Sequence, residues 1–317
     1  MERQNKAYAY AIAVVCLWAT VASAFKLTLQ RLSVIQMLLY SSAVSLLVLF
    51  IIMTAQGKLK LLGTYSKKDY AYAAGLGFLN PFAYYLILFG AYSLLPAQEA
   101  QPLNQTWAVL IPLLSIIILG QKIGTGNIMA LLVSFFGVFV ISTQGNILGL
   151  GFANPLGVSL ALFSAVIWAV FWIGNMRDRH DEVVKLFLNF AFGSLFVLAA
   201  AFYLSALSPP GEEGLAGAVY IGLFEMGISF FFWMSALKLS KTTAQVSNLI
   251  YIIPFMSLVL INFVLNEPVK LPTVAGLAFI VAGILLQQHF SRKKLTGLKE
   301  IPAPAEPPAP AKLGKKP

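Results

Sequence analysis

One carboxylate stands out by its position. Glu225 lies near the centre of the apolar stretch Gly217–Leu239, with no basic residue within a helical turn of it. An ionisable side chain at mid-bilayer depth costs roughly 3 kcal/mol on insertion scales, so it must face protein or a water-filled cavity. Gly222 and Gly227 thin the helix around it, and Ser229 and Trp233 follow at helical spacing. Two readings are open. Glu225 lines a cavity, where it binds a substrate amine or carries a coupling proton, or it is a buried carboxyl bonded to a neighbouring helix through Asn80 or Tyr84.

Other polar groups fall inside apolar runs. Asn80 precedes Pro81, and a proline inside a span frees a carbonyl and kinks the helix; Tyr84 lies one turn on. The broken helix would offer backbone groups to a ligand, or the proline is a plain packing kink. Gln98, Gln101 and Gln105 form one helical stripe, with Asn104 beside it and Trp107 a turn further. Gln245, Asn248 and Tyr251 form a second. Amides facing lipid are costly, so both stripes face protein, as cavity lining or as interhelical hydrogen bonding. Trp18 and Trp168 sit deep in their spans, away from the interface where tryptophan gathers, and are candidates for cavity walls or core packing. Glu99 and Glu267 lie near a membrane boundary. The first is expected to be solvated, the second to cap a helix or pair with Lys270.

Chemistry of other kinds is not visible. There is no H-E-x-x-H, G-x-S-x-G or Walker A sequence, and His180 and His289 lack metal-ligand company. No metal or cofactor is expected, and without an ATP site any transport would draw on a gradient. The single cysteine, Cys16, excludes an intramolecular disulfide.

The elements that hold these residues are membrane spans. Of 317 residues, 59% are hydrophobic and 11% charged, against about 25% charged in soluble domains. Ten apolar runs are near the ~20 residues that cross the hydrocarbon as helix: roughly 7–25, 33–54, 70–94, 97–119, 124–143, 155–175, 185–207, 216–239, 243–265 and 271–290. The alternation of a β-barrel is absent. Ala22-Ser-Ala24 mimics a signal-peptidase site, but the first run has a structural twin in the second half. With the N-terminus inside, the inner segments collect nineteen Lys/Arg and the outer loops three, namely Lys26, Arg31 and Lys270. That asymmetry places both termini in the cytoplasm and accounts for the net charge of +10 without nucleic acid. The stretch 291–317, rich in Pro, Ala and Lys, is expected to be a disordered cytoplasmic tail.

The chain repeats itself. Leu17-Trp18-Ala19 recurs as Ile167-Trp168-Ala169, Gly77-Phe-Leu-Asn80 as Gly222-Leu-Phe-Glu225, and Gly137-Val-Phe-Val as Gly283-Ile-Leu-Leu. Asn80 and Glu225, like Ala91 and Ala236, are 145 residues apart. Gly120-Gln121-Lys122 lies against Asn266-Glu267-Pro268. Consecutive copies of a five-span unit enter the bilayer from opposite faces, which is the inverted-repeat plan of secondary transporters. The fold expected is an all-α integral membrane protein of ten transmembrane helices in two inverted five-helix repeats, residues 1–145 and 146–290.

With its ten spans in two halves, a Trp late in spans 1 and 6, Pro112 and Pro254 in spans 4 and 9, and Glu267 before Gly276 and Gly283, the chain resembles the EamA branch of the drug/metabolite transporter superfamily over residues 7 to 290. The first half departs from the pattern, with Gln121 opposite Glu267 and Pro112 out of register with Pro254. The resemblance implies a multi-pass protein of the bacterial inner membrane, monomer or homodimer, that moves small metabolites, often amino acids, through a cavity lined by spans 1, 3, 4, 6, 8 and 9. On it, Trp18, Asn80, Tyr84, Gln101, Asn104, Trp107, Trp168, Glu225, Trp233, Gln245, Asn248 and Tyr251 become candidates for binding a small-molecule substrate, with a coupling proton as a further passenger. The competing classes are a membrane enzyme or flippase acting on lipid-linked substrates, which would need paired carboxylates or a His cluster at one interface, and a scaffold, for which buried polar stripes have no purpose.

Overall fold

The computed structural model describes residues 2–118, 124–146, 154–240, 246 and 248–296. These are helical with short connections, and no strand occurs among them. Seven helices are long and apolar enough to cross a membrane, and two shorter apolar helices, Ile128–Ser142 and Leu249–Leu265, accompany them. The chain is a multi-pass membrane protein by this measure.

In chain order the helices are α1 (Glu2–Leu29), α2 (Val34–Ala55), α3 (Lys67–Gly77), α4 (Tyr84–Leu94), α5 (Ala97–Asn104), α6 (Trp107–Ile118) and α7 (Thr125–Ser142). There follow α8 (Pro155–Arg177), α9 (Glu182–Tyr203), α10 (Glu212–Ile221), α11 (Ile228–Leu239), α12 (Ile253–Leu265) and α13 (Leu271–Thr296). Starts are set by local chemistry. Ser33 with Gln36 and Ser66 with Asp69 form capping boxes, Asn154 caps Gly157 ahead of Pro155, and Asp181 accepts from the Val183 and Val184 amides. The last helix continues to Thr296, past the boundary expected at 290; residues 297–317 of the expected tail lie outside the described residues.

Two membrane-spanning runs, Lys67–Leu94 and Glu212–Leu239, are each interrupted by a π-helical turn, at Phe78–Ala83 and Gly222–Gly227. Asn80 in the first leaves helical geometry altogether, with φ −149° and ψ 121°, beside Pro81. The expected kink is there. The span expected at 97–119 is broken too, because α5 ends at Asn104 and α6 begins at Trp107.

The sequence halves interleave. Helix α1 packs on α11 and α12, α2 on α9, α4 on α8, and α7 along α13. The last pair shows why small residues recur there: a Cβ on Gly137 would lie 2.3 Å from the Gly276 carbonyl, and one on Gly283 2.6 Å from the Ala130 carbonyl. Backbones that approach this closely gain dispersion contacts that larger residues would block.

Candidate functional site

A cavity of about 500 Å³ runs between the halves. Five indoles line it: Trp18 from α1, Trp107 from α6, Trp168 and Trp172 from α8, and Trp233 from α11, with Tyr251 beside them. Its other end is charged, where α8 gives way to α9, and carries Asp178, Glu182 and Lys185. A smaller cavity of about 70 Å³ shares Trp18, Trp107 and Trp168 with the first and continues to Glu225, Gln101, Asn104 and Gln105. Greasy chamber and polar end are thus separated by a layer of tryptophan.

The π turn at Gly222–Gly227 explains how Glu225 reaches this place. A widened turn loses regular i to i+4 bonds, so its carbonyls need other donors. The Ser229 hydroxyl donates to the Phe224 carbonyl, and Trp18 Nε1 donates to the Glu225 carbonyl at 3.3 Å. The Glu225 side chain is 8% exposed and accepts a hydrogen bond from Tyr85 Oη at 3.0 Å. Its partner is therefore Tyr85 rather than the expected Asn80 or Tyr84.

Tyr84 Oη donates to Asn104 Oδ1 at 3.3 Å, since the amide oxygen can only accept. Its ring centroid lies 4.5 Å from that of Trp168. Asn104 Nδ2 continues the chain of bonds to Ser164 Oγ, 2.9 Å away on α8. Gln101 Oε1 accepts from Tyr92 Oη at 3.2 Å and from Ser257 Oγ at 3.0 Å. Trp18 and Trp233 sit 6.0 Å apart between centroids, and Tyr251 accepts from Gln288 Nε2 while facing the chamber.

Several expectations need correction. Asn80 is fully buried, is not among the residues lining either cavity, and its amide oxygen and nitrogen have no hydrogen-bond partner. The kink turned it into the protein. The glutamine stripe divides along its length: Gln101 and Gln105 reach the small cavity, while Gln98 bonds to the Pro268 carbonyl, the Lys270 amide and Thr273. Glu99 is 2% exposed instead of solvated, held by Gln144 Nε2 at 3.0 Å and Lys270 Nζ at 3.4 Å. Of the two readings of Glu267 the capping one holds, since it accepts from the Ala97 and Gln98 amides at the start of α5, while Lys270 pairs with Glu99. Gln245 and Gln121 lie outside the described residues, as do the side chains of Asn248 and Pro112.

These last contacts close one end of the bundle. Lys26 Nζ adds bonds of 2.9 Å to each of the Tyr92 and Leu95 carbonyls. At the opposite end Lys185, 2% exposed, bonds to the Asn175 and Asp178 carbonyls and pairs with Glu182 at 2.7 Å. Its charge lies at the C-terminus of α8, where a cation is favoured. His180 bonds to Asp178 and stacks on Tyr65. Sequence reasoning missed Tyr85, Trp172 and the group at Lys185. Trp172 had a signal, one turn after Trp168; Tyr85 had none, since its neighbour Tyr84 had the better spacing from Asn80.

The model of the EamA-like transporter family matches the chain twice, at residues 5–143 and 155–287. An uncharacterized transporter of Clostridium kluyveri is 27% identical over 254 residues, covering 77% of this chain and 78% of its own. Uncharacterized transporter YvbV of Bacillus subtilis is 29% identical, covering 56% and 58%. The aromatic amino acid exporter YddG of Ancylobacter novellus is 31% identical over 170 residues, covering 52% of this chain and 57% of its own. The chain thus spans little more than half the length of the last two. A crystal structure of another protein superposes with a TM-score of 0.65 at 20% identity, over 92% of this chain and 99% of that one, a likeness of fold. With two matches that between them take in most of its length, the chain belongs to the EamA-like transporter family.

Proposed function

We propose that the protein is a secondary active or facilitative transporter of small metabolites, amino acids or close relatives, working by alternating access around a midplane cavity. The observation that carries this is the tryptophan-walled chamber that reaches Asp178, Glu182 and Lys185 at one end and adjoins, at the other, a small cavity with a buried carboxylate, Glu225. On this reading the contacts of Glu267 and Glu99 hold one end shut and the Lys185 end receives the substrate, one of the two states that alternating access requires. The matched π turns and the doubled family match favour two inverted five-helix repeats, with the residues of both halves meeting at the chamber. By the distribution of Lys and Arg, the receptive end is cytoplasmic, both termini lie inside, and the membrane is the bacterial inner membrane. Cargo loaded from that side is exported, in keeping with the Ancylobacter relative, an aromatic amino acid exporter. Glu225 is the group to take a substrate amine or a coupling proton.

The test is uptake and counterflow of a labelled metabolite panel in proteoliposomes. Movement of an amino acid that falls at least about thirtyfold in Glu225→Gln, as loss of one partner of a buried charge contact does, supports the reading. No movement of any compound, with turnover or flipping of a lipid instead, overturns it.

A further inference from the structure

The small cavity holds more than an acid. Two polar groups that line it are buried and unsatisfied. Gln105 Nε2 and Trp168 Nε1 have no hydrogen-bond partner, in side chains 6% and 5% exposed. Buried donors left unpaired are rare in native proteins, because each forfeits its bonds to water. Neither is explained by packing: Trp168 has already stacked its ring on Phe230 and Tyr84, and the other amides in the stripe, Gln101 and Asn104, are bonded. Gln105 also sits at the break between α5 and α6, where the chain leaves regular helix.

Together these groups make a site with two signs. Glu225 accepts; Gln105 Nε2 and Trp168 Nε1 can only donate. At roughly 30 Å³ per water-sized group, about 70 Å³ takes two such groups, and the chamber across the tryptophan layer takes a far larger apolar body. We infer that the small cavity is a zwitterion site, in which Glu225 receives an α-ammonium group while Gln105 and Trp168 donate to the α-carboxylate, with the substrate's side chain in the indole chamber. The inference rests on the transporter reading above and narrows it to α-amino acids with large apolar side chains. Gln105 and Trp168 are then the residues that set specificity for the carboxylate. A site built to bond a charged group rejects the analogue that lacks it, because its own donors are left unpaired.

Three probes separate the parts: L-phenylalanine, phenethylamine, which lacks the carboxylate, and 3-phenylpropanoate, which lacks the ammonium. Binding is read as the shift in melting temperature of the purified protein with ligand concentration, and transport as counterflow in proteoliposomes. Phenylalanine should bind at least about tenfold more tightly than either analogue, the range expected for a lost charged hydrogen bond. Trp168→Phe, which keeps a ring and removes the N–H, and Gln105→Met should each weaken phenylalanine by about tenfold more than they weaken phenethylamine. Equal binding of phenylalanine and phenethylamine, no binding of any probe, or an equal loss for both in the variants overturns the zwitterion site. Binding with the predicted selectivity but without counterflow upholds the site and overturns the transporter reading.

Discussion

The two π turns are the same local device with opposite outcomes. At Phe78–Ala83 and Gly222–Gly227 a spanning helix widens at corresponding places in the two halves. In the second, Glu225 enters the small cavity and is held by Tyr85; in the first, Asn80 turns into the protein and bonds to nothing. Repetition of a backbone feature therefore does not repeat its chemistry. What differs is the surroundings. Pro81 replaces an amide that could have bonded within the turn, and the first break packs chiefly against α9, with α8 next, whereas the second packs chiefly against α2, with α1 beside it. The same lopsidedness recurs at the closed end, where Glu267 caps α5 and its repeat mate is Gln121.

Substitutions can break this contrast. The largest effect is expected at Glu225. Glu225→Gln should cut counterflow at least about thirtyfold, and a rate within threefold of wild type would place both turns on an equal, structural footing. Tyr85→Phe removes the one side-chain bond to Glu225 and should cost about tenfold in apparent affinity, the range for a hydrogen bond to a charged group; no change would make Tyr85 a packing residue. Next is Glu267→Gln, which weakens a cap worth about 1 kcal/mol. In a Cys16→Ser background carrying Ile253→Cys on the small cavity, labelling by an impermeant external maleimide should quicken about fivefold. An unchanged rate would show that the Glu267 contacts do not hold that end shut.

Asn80 gives the opposite kind of test. Asn80→Leu, close in volume, removes two unpaired buried polar atoms and should raise stability by about 1 kcal/mol while leaving transport as it was. A loss of transport would give the first turn a role in the cavity after all. The smallest effect is remote from both turns, at the Lys58–Asp181 pair of 2.8 Å. Burial pulls the Asp181 carboxyl up, but the bond and charge of Lys58 and the Val184 and Val183 amides outweigh it and hold the group below its ordinary value. Because the folded value is the lower one, this stabilisation is complete above the ordinary carboxylate range and is lost as pH falls through the folded value. Thermal melts should therefore lose less stability on acidification below about pH 4 in Asp181→Asn than in wild type.

Much of the architecture could be read from residue types. Apolar runs of spanning length, capping residues such as Ser33, Ser66 and Asp181, and Pro81 inside a span each act over a turn or two, so their consequences follow from nearby sequence. The depth of Trp18 and Trp168 left cavity wall and core packing both open, as the cost of a charge in lipid left open a cavity or an interhelical bond for Glu225; in the fold the two indoles border the chamber and Glu225 the small cavity. Contacts between distant segments were another matter. That Glu99 is buried depends on Gln144 and Lys270, which no spacing brings together. The split of one glutamine stripe between a cavity and a closed end depends on where Pro268 and Lys270 arrive.

The sequence alone determined that this chain crosses a membrane in two related halves and that an acid lies at its middle, because lipid offers backbone and charge no partners and so restricts what can span it. Only the tertiary structure decided which polar residue of each repeat pair meets the cavity. That choice turns on the backbone geometry at a broken helix and on which neighbour fills the space, and neither is written in local periodicity. Glu225 and Asn80 hold matching positions in the chain and opposite positions in the protein.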